Sequence, residues 1–137
     1  MRRSKHILLV EDDQVDAMTV KRALKEINVV NRLDIVNNGE EALAFLKDPK
    51  NYTPGIILLD LNMPRMNGIE FLKIVKKEDS LKRIPVVVLT TSKEDQDKVD
   101  SFNLGVSGYM IKPVDYKKFV EVVKTIDLYW TLSELPD

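Results

Sequence analysis

Cysteine is absent from the 137-residue chain. Disulfide scaffolds, cysteine-ligated zinc and thiolate catalysis are therefore excluded, and the composition agrees with a reducing cytoplasm. An excess of basic residues is also missing: the formal net charge is -1. The phosphate attraction on which nucleic-acid-binding domains rely is thus lacking, and direct DNA binding is not expected. No apolar run approaches the length of a membrane span. The N-terminal stretch MRRSKHILLV is basic at its start, but its apolar run is short and lacks the small-residue cleavage site of a signal peptide. Repeats, low-complexity tracts and interdomain linkers are missing too. With 44% hydrophobic residues, the length suits one globular domain with a single core.

Short apolar runs punctuate the chain: Ile7 to Val10, Ile56 to Leu59, Val86 to Leu89 and Tyr109 to Ile111. They are continuous rather than alternating, as expected of strands buried on both faces of a parallel sheet. A further stretch, RLDIVNN, alternates Leu33 and Ile35 with polar neighbours and suits a sheet edge. Between the runs lie helical spacings, with Val20, Ala23, Leu24 and Ile27 in the first and Phe119, Val122, Val123, Ile126 and Trp130 in the last. Asn38-Gly39 opens a helix, Pro85 precedes a strand, Gly105 and Gly108 flank the approach to another, and Asp115 suits an N-cap. The alternation predicts an α/β fold of three layers, a doubly wound five-stranded parallel sheet in the order 2-1-3-4-5.

That order brings the C-terminal ends of four strands together. Glu11 and Asp12 follow the first, Asp60 the third, Thr90 the fourth and Lys112 the fifth. Open α/β sheets bind ligands at this edge, where the winding direction reverses. Crowded carboxylates raise one another's pKa unless a cation neutralises them. Oxygen donors without His or Cys point to Mg²⁺. A metal and Lys112 could screen an incoming phosphoryl group while Thr90 bonds one of its oxygens, with an aspartate as nucleophile. Taken singly, each residue has a plainer reading: Asp13 as a helix N-cap, Thr90 as a cap, Lys112 as a surface cation. Their joint placement at the strand ends favours the site.

The segments ILLVEDD, LLDLNMPRMNG, VVVLTTS and GYMIKP, in this order and spacing, resemble a response-regulator receiver domain of two-component signalling, over roughly Lys5 to Ile126. The resemblance implies that Asp60 is the phosphoacceptor and Asp12 a direct Mg²⁺ ligand. It implies further that Glu11 acts through metal-bound water and that Asn62 offers its backbone carbonyl. Thr90 and Lys112 would contact the phosphoryl oxygens, and Asp13 drops out of the site. The Lys112-Pro113 peptide is expected cis, against the general preference for trans. Met63, Pro64 and Gly68 match the family's loop after the phosphoacceptor. Phosphorylation would take Asp60 from a charge of about -1 to about -2, draw Thr90 toward it and let Tyr109 rotate inward. The readout surface would be the fourth helix, fifth strand and fifth helix.

On this reading the chain is a stand-alone receiver, with a core over about residues 5-127 and a C-terminal helix extension or tail over about 128-137. It is not an enzyme beyond its own phosphotransfer and autodephosphorylation. Its partner is a sensor histidine kinase, and its setting is cytoplasmic, without membrane attachment. The tail with Leu128, Trp130, Leu132 and Leu135 is expected to pack back on the domain or to form a homodimer or partner surface. Together with KRIPVVVLTTS it resembles single-domain regulators that accompany bacterial phytochromes. A rival, a Mg²⁺-dependent aspartyl-phosphate phosphohydrolase, usually places an Asp where Glu11 stands and needs a cap segment that this chain lacks. FMN binding lacks its phosphate loop after the first strand.

Overall fold

The computed structural model describes residues 6-61, 63, 65-90, 93-101, 103-111 and 115-132, of which 90, 93, 95, 96, 101, 111 and 129-132 are described in backbone alone. Strands and helices alternate: β1 (Ile7–Val10), α1 (Gln14–Glu26), β2 (Leu33–Val36), α2 (Gly39–Lys47), β3 (Ile56–Asp60), α3 (Gly68–Val75), β4 (Val86–Thr90), α4 (Lys93–Ser101), β5 (Gly108–Ile111) and α5 (Tyr116–Leu132). The sheet is parallel in the order β2-β1-β3-β4-β5. The expected topology is therefore observed, with the alternating segment on the edge as β2.

Side-chain alternation along each strand sends successive residues to opposite layers. Leu8, Val10, Ile57, Leu59, Val86 and Val88 form one core with residues of α2, α3 and α4, while Ile7, Leu9, Ile56, Leu58, Val87 and Leu89 form the other with α1 and α5. Because both faces are covered, the strands read as unbroken apolar runs. Two strands extend one residue past those runs: Asp60 and Thr90 are the last residues of β3 and β4, not the first beyond them.

Caps set the helix starts. Asp13 accepts the Asp16 N–H at 3.0 Å, and Asn38 accepts that of Glu41 at 2.9 Å. Asn67 and Glu70 form a reciprocal capping box on α3. Asp115 precedes α5 and accepts the Lys117 N–H at 2.8 Å. In α1 the buried residues are Ala17, Val20, Ala23 and Leu24, with Ile27 packed beside them. The α1 and α5 seam is closed by the Tyr116 hydroxyl, which donates to Glu26 at 3.0 Å, and by the Arg22 guanidinium over the Tyr116 ring.

Of the two readings of the C-terminal segment, packing back on the domain fails at Leu128. Helix α5 runs on to Leu132, and Leu128 is 59% exposed rather than packed back on the domain. Leu128 falls off the helical stripe formed by the buried Phe119, Val123 and Ile126, so helix geometry turns it outward. The side chains of Trp130 and Leu132, and the whole of Leu135, lie outside the described residues.

Candidate functional site

Parallel registers align the strand ends. Val10 pairs with Leu59, so Glu11 and Asp60 come next in line on adjacent strands. Asp60 pairs with Leu89 on β4, and Thr90 with Ile111 on β5. The β1 ladder continues one step past the strand, since the Glu11 N–H donates to the Val36 carbonyl at 2.9 Å. That bond holds Glu11 against the sheet, where its side chain is 1% exposed. Asp60 is buried as well, whereas Asp12 faces solvent.

The outcome is a cluster. Carboxylate oxygens of Glu11, Asp12 and Asp60 all lie within 4.8 Å of one another. Asp13, the third acidic residue of the run that begins at Glu11, caps α1 instead. Three acidic groups this close repel unless protons or cations intervene. The donor set consists of hard oxygens alone, which suits a small divalent cation and not a soft one. Exposed Asp12 leaves the cluster an entry from solvent.

The loop after Asp60 closes tightly. Gly68, the first residue of α3, donates its N–H to the Leu61 carbonyl at 3.0 Å. A Cβ there would stand 2.8 Å from Leu61 Cα and 2.9 Å from the Asp60 carbonyl oxygen, so no side chain fits. Met63 is buried against the core beneath this loop. Asn62, Pro64, Lys112 and Pro113, including the cis expectation, lie outside the described residues, as does the side chain of Thr90.

Tyr109 is half-buried against the core shared with α2, α3 and α4. Its hydroxyl donates to Asp100 Oδ1 at 2.7 Å. Burial pushes the phenol pKa well above its ordinary value, and the hydrogen bond to Asp100 and the Asp100 charge push the same way.

Residues 7–124 match the family model of the response regulator receiver domain. The chain belongs to that family. It is 41% identical over 130 residues to the response regulator Rcp1 of Synechocystis, a match that spans 92% of this chain and 88% of that protein. Among solved structures it resembles the phosphorylated cyanobacterial phytochrome response regulator RcpA, with a TM-score of 0.86 and 36% identity over 96% of both chains. The Mn²⁺-bound form of Rcp1 matches with a TM-score of 0.85 and 39% identity over 97% of this chain and 99% of that one. Receiver domains take up a phosphoryl group in two-component signalling and bind a divalent metal at an acidic pocket, and the receiver described here presents such a pocket. Among its described residues no helix is long and apolar enough to cross a membrane.

Sequence reasoning missed two contacts of this receiver, the approach of Gly39 to the loop after Asp60 and the pairing of Asp100 with Tyr109. Neither carries a local signal, because each joins segments that meet only after folding. The α3 capping box was detectable, since Asn67 and Glu70 stand in the N-x-x-E spacing.

Proposed function

We propose that this receiver takes a phosphoryl group from a histidine kinase onto Asp60, with Mg²⁺ held by Asp12, Asp60, the backbone carbonyl of Asn62 and, through water, Glu11. The convergence of three carboxylates within 4.8 Å at the sheet's C-terminal edge carries this reading. In the transfer, an Asp60 carboxylate oxygen forms a bond to phosphorus as the bond from phosphorus to the donor histidine nitrogen breaks, and that nitrogen leaves with the electron pair. The divalent ion, when bound, supplies charge neutralisation for the phosphoryl oxygens. Lys112 adds a second positive charge, and Thr90 donates a hydrogen bond to the product phosphoryl group. Burial of Asp60 limits water access and favours a single stoichiometric modification, and autodephosphorylation ends the signal. A cytoplasmic location goes with this reading, because kinases that supply such phosphoryl groups draw on ATP.

The switch we propose couples Thr90 to Tyr109. Movement of the Thr90 hydroxyl toward the acyl phosphate frees space that the Tyr109 ring enters, at the expense of its bond to Asp100. The surface so altered is α4, β5 and α5, where a homodimer would form, with exposed Leu128 and the tail as a second candidate contact. Similarity to the cyanobacterial phytochrome response regulator RcpA favours a phytochrome-like kinase as donor. Phosphotransfer profiling with the host's purified kinases would identify it.

Beryllofluoride with Mg²⁺ mimics the acyl phosphate and provides the test. Wild type should show amide shifts at the strand ends and across β5, and Asp60→Asn should show none. An equal response from Asp60→Asn would remove Asp60 as the acceptor.

A further inference from the structure

We infer that Gly39, the first residue of α2, is a positioning residue for the metal-holding loop between β3 and α3; the inference rests on the metal reading above. The loop is strapped to α2 by a close backbone contact at Met66. The Gly39 N–H donates to the Met66 carbonyl at 2.9 Å. Beside it, the Arg65 guanidinium lies 3.9 Å from the Glu40 carboxylate, and Arg65 itself has a left-handed backbone with φ 59°. One of the N-terminal donors that a helix leaves unpaired is thus satisfied by the loop.

No side chain fits at Gly39. An added Cβ would stand 2.7 Å from Met66 Cγ, 2.8 Å from the Met66 carbonyl oxygen and 3.0 Å from Met66 Cβ. The first contact could be relieved by a flexible side chain, but the second is backbone. Backbone conformation does not require glycine here, since Gly39 lies outside the left-handed region. A helix position would ordinarily favour Ala. Space is the reason for the glycine.

Something must move when that space is filled, and the loop at Arg65, which is exposed, and Met66, which is only partly buried, is less firmly packed than the start of α2. Asn38, its cap, is buried, as are Ala42 and Leu43. The stretch 65–66 is therefore displaced, and it belongs to the loop that the reading above gives to the metal. Gly39 acts through the loop and touches neither metal nor phosphate.

The test compares Mn²⁺ affinity, read by loss of the free-ion EPR signal, with urea unfolding of the metal-free protein. Gly39→Ala should unfold cooperatively and bind Mn²⁺ on the order of tenfold more weakly, the lower end of what losing an outer-shell support costs a metal site. A purely structural role would change the unfolding and leave the affinity alone, which would overturn the inference. A second measurement needs no variant. Coupling is reciprocal, so saturating Mg²⁺ should slow hydrogen exchange at the wild-type Gly39 amide. Exchange indifferent to Mg²⁺ would overturn the inference even if Gly39→Ala failed to fold. Wild type that binds no Mn²⁺ at all would sink the metal reading first, and this inference with it.

Discussion

The Tyr109 hydroxyl donates to Asp100 Oδ1 at 2.7 Å, tying β5 to the last turn of α4. The contact matters because α4 offers the core little apolar surface of its own. Its sequence, KEDQDKVDS, offers Val99 as its one apolar residue, and Val99 is buried. A helix anchored by so few apolar contacts opens at low free energy. Asp100→Ala should therefore speed hydrogen exchange across α4 while leaving β1 and β3 protected. Equal exchange in both proteins would mean that the bond does not restrain α4.

The same pair makes a prediction about pH. Tyr109 has its pKa raised above the ordinary 10.0, first by burial and then by Asp100. A phenol with a raised folded-state pKa contributes stability that is complete below about pH 10 and is lost as the pH climbs through the folded value. Removing Asp100 leaves the burial but reduces the shift, so phenolate should appear at lower pH in Asp100→Ala. Ultraviolet titration, with Tyr109→Phe subtracted, measures it. An unchanged curve would place the hydroxyl away from Asp100 in solution.

Asp12 and Asp13 are adjacent and should behave oppositely. Asp13→Ala removes the α1 cap and should cost about 1 kcal/mol of stability with Mn²⁺ binding intact. Asp12→Asn should leave the metal-free protein at least as stable, because repulsion inside the acidic cluster is relieved, and should weaken Mn²⁺ strongly. Urea unfolding and Mn²⁺ titration on both variants decide the matter, and a reversal of the two patterns would reverse the assignments.

Gly68→Ala puts a methyl group against the Leu61 Cα and the Asp60 carbonyl oxygen, at 2.8 and 2.9 Å. Overpacking of this kind costs about 1–3 kcal/mol, and here it also disturbs the backbone that carries Asp60. Lower urea midpoint and weaker beryllofluoride uptake should appear together. A stability loss with normal uptake would show that the strain stays within α3.

Leu128 is exposed on α5, so Leu128→Asp should alter monomer stability by less than about 0.5 kcal/mol. If the tail contributes to a dimer, the variant should associate at higher concentration than wild type. Sedimentation at several concentrations, with and without beryllofluoride, reads both species; identical association would confine any dimer to another surface.

Much of this receiver was legible before folding was considered. Continuous apolar runs identified β1, β3, β4 and β5, and the alternating Leu33 and Ile35 identified the edge strand β2, because burial on one face or two is written in local periodicity. Asp13 could be read as a cap from residue type and position alone, since capping is a contact across a single turn. The acidic residues at the strand ends could be placed on one edge by topology.

Only the tertiary structure decided how close those groups come. Glu11 and Asp60 are far apart in sequence and reach one site because the β1 and β3 register aligns them and the Glu11 N–H, bonded to Val36 of β2, holds Glu11 against the sheet. The Gly39 approach to Met66 depends on the path of a loop, and the Tyr109 bond to Asp100 on how α4 is set against β5. Periodicity carries no information about either, because a sub-ångström fit between distant segments is settled by packing of the whole core.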